Sequence, residues 1–122
     1  MEKIKINIWD REFQLDCIMQ CYPGKEPTSV QKDAERRFIE IKNQLPDTKE
    51  VVFDYINDYS GKSLAITDNI FRYVMPKSIL IPAEKKRTVA IMCYFKFDME
   101  HGLAVVFENE AFKTIGPEDI VL

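Results

Sequence analysis

Residues 88–108 read TVAIMCYFKFDMEHGLAVVFE, two apolar runs separated by a short polar segment. The runs, residues 88–97 and 103–108, are rich in β-branched and aromatic side chains, which favour strands. Their apolar residues stand at successive positions, a pattern typical of central strands that are buried on both faces. This stretch therefore predicts two adjacent core strands joined by a polar turn.

An N-terminal hairpin is predicted from a different pattern. Ile4, Ile6 and Ile8 alternate with polar residues, as in a strand that buries one face. Residues 13–22 are interpreted as the returning strand, and the Pro-Gly pair at 23–24 ends it because these residue types interrupt strands.

Helical spacing begins after the hairpin. Thr28 and Gln31 form a capping-box pattern, and a first helix is predicted from there to Pro46. A second helix is predicted to end at Gly61, since glycine commonly ends helices. A shorter third helix is predicted over residues 68–74.

Together these elements predict an α+β fold. It consists of a mostly antiparallel sheet (N-terminal hairpin plus C-terminal meander) with two to three helices inserted in the middle. The chain has 122 residues, enough to bury a hydrophobic core without disulfides or metal. We expect a single domain, residues 1–122.

Composition argues against several classes of function. The chain carries 17 Lys and Arg against 20 Asp and Glu, a net charge of -3, so no nucleic-acid partner is expected. It has no apolar stretch long enough to span a bilayer and no signal-peptide pattern near its beginning. We therefore expect no membrane partner and a cytoplasmic location.

Residues that often carry chemistry are few. The three cysteines, Cys17, Cys21 and Cys93, fall on apolar faces of predicted strands, which favours buried thiols over nucleophiles or metal ligands. Glycine-rich phosphate loops and serine-nucleophile motifs are missing from the sequence. No cofactor is therefore expected, and the sequence favours a non-catalytic protein over an enzyme.

The best candidate site is the segment Asp98-Met99-Glu100-His101-Gly102, which holds the only histidine and two carboxylates. One interpretation is a divalent-metal site, or a general base with an orienting acid. The other is a hairpin turn in which Asp98 caps the backbone and Gly102 supplies a positive φ. The residue types by themselves favour the turn.

A second candidate is an acidic patch around the end of the second predicted helix. Its members are Asp54, Asn57, Asp58, Asp68 and Asn69. Such a patch is typical of a solvated face, and it is also available to a basic partner. Its spacing does not match a calcium loop.

Both ends of the chain resemble a family of small uncharacterised bacterial domains, a domain of unknown function. The resemblance is carried by the Asp-x-Glu-His-Gly turn at 98–102, the C-terminal Gly-x-x-Asp at 116–119 and the segment 9–13. It implies no activity, but it makes residues 98–102 the place to test for a site. For some similar domains it implies an immunity or partner-binding role beside bacterial toxins.

Three hypotheses follow. The first is a cytoplasmic, non-catalytic protein-binding module, immunity-like if the resemblance extends to function, with Asp98, Glu100, His101 and Gly102 as candidate binding residues. The alternative is a metal-binding module or metal-dependent enzyme that uses Asp98, Glu100 and His101. The third is a structural subunit that dimerises through an exposed strand edge.

Overall fold

The computed structural model describes residues 3–42, 44–65 and 67–122. In chain order its elements are β1 (Lys3–Ile8), β2 (Arg11–Met19), α1 (Ser29–Ile41), α2 (Lys49–Ser60), a 3-10 turn (Ile70–Arg72), β3 (Val74–Ile81), β4 (Thr88–Phe95), β5 (Leu103–Glu108), β6 (Ala111–Gly116) and a second 3-10 turn (Glu118–Val121). The six strands form one sheet in the order of the chain, with β1 at one edge and β6 at the other.

The predicted fold class is wrong. β2 and β3 are parallel, with Cys17 opposite Ile79, whereas the other neighbouring strands are antiparallel, so the sheet is mixed. α1 and α2 do not separate a hairpin from a meander, because they belong to the connection between two adjacent strands of one sheet. A parallel pair needs such a crossover, and side-chain periodicity carries no information about the direction of a neighbouring strand.

The predicted third helix is not formed either. In its place the described residues contain a single 3-10 turn, Ile70–Arg72, which starts where the backbone N–H of Phe71 donates to the Asn69 side chain at 3.1 Å. β3 begins at Val74 and includes Pro76, next to which its register with β4 shifts. Proline has no ladder N–H, which agrees with an irregularity at this point.

Local capping interactions place the two α-helices. Gln31 N–H donates to the Thr28 hydroxyl at 3.1 Å and Thr28 N–H donates to the Gln31 side chain at 2.8 Å, so the predicted capping box is confirmed. The buried Gln31 amide also donates to the backbone carbonyls of Gln20 and Ile81. It thereby fixes α1 to the ends of the two parallel strands. Gly61 ends α2 in the left-handed conformation.

The centre of the sheet is buried on both faces, as the sequence of β4 and β5 predicts. On the helix side lies the larger core, which includes Phe38, Ile56, Ile79, Phe95 and Val105. The opposite face carries a smaller buried cluster, formed by Leu80, Ala90, Met92, Ala104 and Val106, and Val121 packs against it. The C-terminal turn therefore covers part of the second face.

The strand registers show which loops share an end of the sheet. Val74 pairs with Phe95 at one end, from which the β4–β5 turn projects. Met19 pairs with Ile81 at the other end, where the chain leaves β2 toward Tyr22. The candidate turn and Tyr22 thus lie at opposite ends of the sheet.

Candidate functional site

The candidate segment, residues 98–102, is a hairpin turn between β4 and β5. Asp98 N–H donates to the Phe95 carbonyl at 3.1 Å, and Gly102 N–H donates to the Asp98 carbonyl at 2.9 Å. Gly102 has a φ of +62°, which glycine adopts without strain. The backbone role that the sequence suggests for these two residues is therefore present.

The Asp98 carboxylate is the centre of a small hydrogen-bonded group. It accepts from the backbone N–H of His101 at 3.1 Å and lies 3.0 Å from the ring Nδ1 of the same residue. It also accepts from the Tyr59 hydroxyl at 3.2 Å, across 39 positions of sequence. Glu100 is exposed and lies outside this hydrogen-bonded group. The structure thus brings together Asp98 and His101, and adds Tyr59.

Electrostatics favour an ion pair in this group. Burial acts to raise the pKa of Asp98, but the hydrogen bonds from His101 and Tyr59 outweigh it and hold that pKa below its usual value. The hydrogen bond to Asp98 raises the pKa of His101, with further contributions from Glu100 and Asp119. The histidine is therefore protonated over a wider pH range than a free imidazole.

Gly102 also joins the turn to the C-terminal segment. A Cβ at this position would overlap the Glu118 carboxylate and lie 2.9 Å from the Cys93 carbonyl oxygen. Glu118 accepts from Lys77 Nζ at 2.9 Å, and its backbone N–H donates to the His101 carbonyl at 2.9 Å. The turn at 98–102 and the Gly-x-x-Asp segment are therefore one packed unit.

A metal centre at this turn lacks ligands in the part of the chain that the structure describes. No group of three or more His, Cys, Asp and Glu side chains is placed there to hold a metal ion. Asp98 and His101 offer two adjacent groups that could ligate a metal ion, but the two groups interact with each other. The carboxylate of Glu100 does not join them.

Four exposed side chains, together with the half-buried Asp98 that they surround, form a surface that we call the turn surface: Tyr59, Asp98, Met99, Glu100 and His101. Met99 is 66% and Tyr59 50% exposed, while 48% of the His101 side chain is accessible. Beneath them the Tyr59 ring packs edge-on against Phe95, with the centroids 5.2 Å apart. The exposed Tyr59 of this surface is therefore held by packing on the buried Phe95.

Sequence reasoning missed the roles of Tyr59 and Glu118. Tyr59 lies in the last turn of α2 and reaches Asp98, which no local pattern in the sequence indicates. Glu118 stands inside the Gly-x-x-Asp segment, but nothing local indicates that its carboxylate packs on Gly102. Both contacts depend on how distant segments meet.

The acidic patch is largely structural. Both polar atoms of the Asn57 side chain bond to the backbone of Leu64, at 3.0 and 2.9 Å. Asp68 accepts from Ala65 N–H at 2.7 Å, and Asn69 caps the 3-10 turn. The exposed carboxylates that remain are Asp54 and Asp58.

The cysteines divide into two groups. Cys17 and Cys93 are buried, as predicted, whereas Cys21 is half-buried and lies beyond the end of β2, so its placement in the core was wrong. Burial raises the pKa of the Cys93 thiol, and the nearby Glu118 carboxylate raises it further. A thiol in this state is a poor nucleophile.

None of the helices in the described ranges has the length and apolar character needed to cross a bilayer.

Comparison with known proteins assigns a family. A family model described as a domain of unknown function, DUF6985, matches residues 1–122, and the chain belongs to this family. Neither a curated protein nor a solved structure matches it. The coarser part of the resemblance, membership of a domain family of unknown function, is thus confirmed.

Proposed function

We propose that this DUF6985 member, acting as a single domain of residues 1–122, is a non-catalytic protein-binding module. The turn surface supports this proposal, because exposed methionine and histidine side chains lie on a turn fixed by internal hydrogen bonds, and the exposed Tyr59 of α2 is bonded to the same turn. Tyrosine and methionine are enriched at protein interfaces. A fixed turn also loses little conformational freedom when a partner binds.

The charge around the turn surface favours a partner that carries lysine or arginine. Glu100 and Asp119 are exposed and both act electrostatically on His101. A basic side chain that approaches this part of the surface is attracted by both carboxylates, and neither of them is the partner of His101 in the Asp98–His101 pair. Because these charges lie at the surface, the association should weaken as the salt concentration rises.

The resemblance supplies the finer part of this proposal. It implies a bacterial source, a cytoplasmic location and, as the partner, a toxin that the protein neutralises. These points stay predictions that depend on identifying the partner. If the partner is a toxin, addition of this protein suppresses its activity, and a variant with a damaged turn surface does not.

The metal-dependent alternative has less support. It requires Asp98, Glu100 and His101 to act together, and the described residues hold no group of three such side chains placed to bind a metal ion. Protein purified without chelator and measured for metal, with His101→Ala as the comparison, tests it directly. A stoichiometric metal that the variant loses would restore this alternative.

The experiment for the binding proposal is affinity capture from the native host with the full chain. Three baits are compared: the wild type, the double variant Tyr59→Ala, Met99→Ala, and the control Tyr22→Ala. Tyr22 is 70% exposed and lies at the opposite end of the sheet, so its variant removes an exposed tyrosine outside the turn surface.

The proposal requires a protein that the wild type and Tyr22→Ala retain and that the double variant loses. The purified partner must then bind with an affinity that decreases with salt. Capture of the same proteins by all three baits, or of none, contradicts the proposal.

A further inference from the structure

The two edges of the sheet differ in how open they are to another strand. β6 has an irregular register with β5, which shifts between Val106 and Phe107, and Lys113 near this point pairs with Glu108 at 2.9 Å. Such bulges and charges are common protections of an edge. β1 pairs with β2 without interruption from Lys3 to Ile8. Its outer side is therefore a regular, six-residue edge.

A large cavity runs along this edge. It has a volume of about 720 Å³, and the six consecutive residues 5–10 line it. Successive side chains of a strand point to opposite faces, so a cavity touched by consecutive residues lies beside the strand and not over one face. Residues 45–48 form part of the opposite wall, and Ile91 and Phe107 extend it toward the core. We call this space the β1 groove.

The side chains of β1 specify what a matching strand would carry. Ile4, Ile6 and Ile8 are buried toward the helix side, while Lys3 and Lys5 are exposed on the other face. β2, which already complements β1, meets these lysines with carboxylates. Asp16 lies 3.8 Å from Lys3, and Glu12 lies 3.7 Å from Lys5. A strand with alternating acidic and apolar residues therefore fits this edge.

We propose that the β1 groove binds an extended segment of a partner protein that alternates acidic and apolar residues and adds to β1 as a further strand. Backbone hydrogen bonds to the open edge supply the affinity, and the lysines select the acidic face. The groove as a whole is not positive, because Asp10, Glu12 and Asp47 line it together with Lys5 and half-buried Lys42. The preference for an acidic segment therefore comes from Lys3 and Lys5, which lie on β1 itself. This surface is distinct from the turn surface and does not depend on it.

A second copy of this chain fits the edge less well. An antiparallel pair of two β1 strands would place lysines of one copy opposite lysines or Asn7 of the other on the same face. Like charges opposite each other destabilise a strand pair. The acidic segment of another protein is therefore the occupant that Lys3 and Lys5 of β1 favour.

The test uses a synthetic peptide of about eight residues in which Glu and Val alternate, since strands commonly have this length. Trp9 lines the groove and is the only tryptophan, so its fluorescence reports binding to the full-length protein. Three control peptides accompany it: one with Lys in place of Glu, one with four Glu followed by four Val, and one N-methylated at every residue.

The alternating acidic peptide should bind and perturb the amide signals of β1 and residues 45–48. N-methylation removes its backbone donors, so we expect at least about tenfold weaker binding. Lys5→Glu should weaken the acidic peptide and strengthen the Lys peptide. Lys32→Glu, the same change at an exposed site on α1, should alter neither.

Absence of binding by the acidic peptide overturns the proposal. The proposal also fails if the N-methylated peptide, or the peptide with four Glu followed by four Val, binds as tightly as the alternating peptide, because that would indicate simple charge attraction. It fails as well if Lys5→Glu and Lys32→Glu change the binding equally. Light scattering must show a monomer, because a dimer through β1 would identify a second copy as the occupant. Capture through the turn surface is measured separately, so either proposal can fail by itself.

Discussion

The turn at 98–102 and the edge of β1 are the two surfaces proposed to bind partners, and they differ in which chemical groups they offer. In the turn the backbone groups of Asp98 and Gly102 are bonded internally, and the side chains of Tyr59, Met99 and His101 are exposed. At the edge the outward side chains already have partners on β2, and the backbone faces an open groove. A surface made of side chains requires a fixed backbone, whereas a surface made of backbone tolerates changes of side chain. Substitutions should therefore cost more stability at the turn than at the edge.

Gly102→Ala should give the largest effect. The new Cβ would overlap Glu118 and approach the Cys93 carbonyl, in a backbone conformation that disfavours alanine. We expect the free energy of unfolding to fall by about 2–4 kcal/mol, measured by urea denaturation.

The matched control is Gly24→Ala. Gly24 also has a positive φ, +74°, but a Cβ there would meet nothing within 4 Å. Its loss should be about 1 kcal/mol, from the backbone conformation alone. Equal losses at the two glycines would show that packing against Glu118 does not hold the turn.

Thr48→Val tests how the end of β1 is held. The Trp9 indole N–H donates to the Thr48 hydroxyl at 2.9 Å in a buried position, and this hydroxyl makes no capping bond to α2. The variant leaves the indole N–H without an acceptor, so unfolding should become easier by about 1–3 kcal/mol. Thr114→Val, at an exposed position, should change stability by less than about 0.5 kcal/mol. A similar effect at both sites would mean that the buried bond does not fix β1.

The third prediction concerns pH and the Asp98–His101 pair. The pKa of His101 is higher in the folded state than in the unfolded state, so protonation of His101 stabilises the fold. This contribution is complete below the unfolded-state pKa of about 6.5 and is lost as the pH rises through the folded-state pKa. The lowered pKa of Asp98 contributes stability that is lost as the pH falls through its folded value. Stability should therefore be greater near about pH 5.5 than near about pH 8. Urea midpoints at the two pH values measure it.

In Asp98→Asn this gain toward acid pH should be much reduced, because the carboxylate that raises the pKa of His101 is gone. His101→Gln should likewise reduce it. A gain that persists in both variants would come from groups outside the turn.

The smallest effect on folding is expected from Lys5→Glu at the edge. The Lys5 and Glu12 side chains are 68% and 63% exposed, and exposed pairs of this kind contribute little. The variant should change the free energy of unfolding by less than about 1 kcal/mol while it reverses the charge preference of the β1 groove. A larger decrease in the free energy of unfolding would show that the edge of β1 is as sensitive to substitution as the turn.

Particular residues show which parts of the fold and of the candidate site the sequence predicts. The alternation of Ile4, Ile6 and Ile8 identifies a strand and its buried face, because side-chain direction along a strand is a local property. Thr28 and Gln31 locate the start of α1 for the same reason, since a cap involves neighbours three positions apart. The site is partly local as well, because Asp98 and His101 meet within one turn.

The rest was decided by contacts between distant segments. The parallel pairing of β2 with β3, the bond from Tyr59 to Asp98 and the packing of Glu118 on Gly102 each join residues that no local pattern relates. The same holds for the β1 groove, since an edge becomes an edge only when the strand order is set. The sequence by itself determined the N-terminal hairpin, the two α-helices and the two central strands with their turn, because those properties depend on neighbours along the chain. The tertiary structure alone decided which segments lie side by side, because that choice depends on how all the buried faces pack at once.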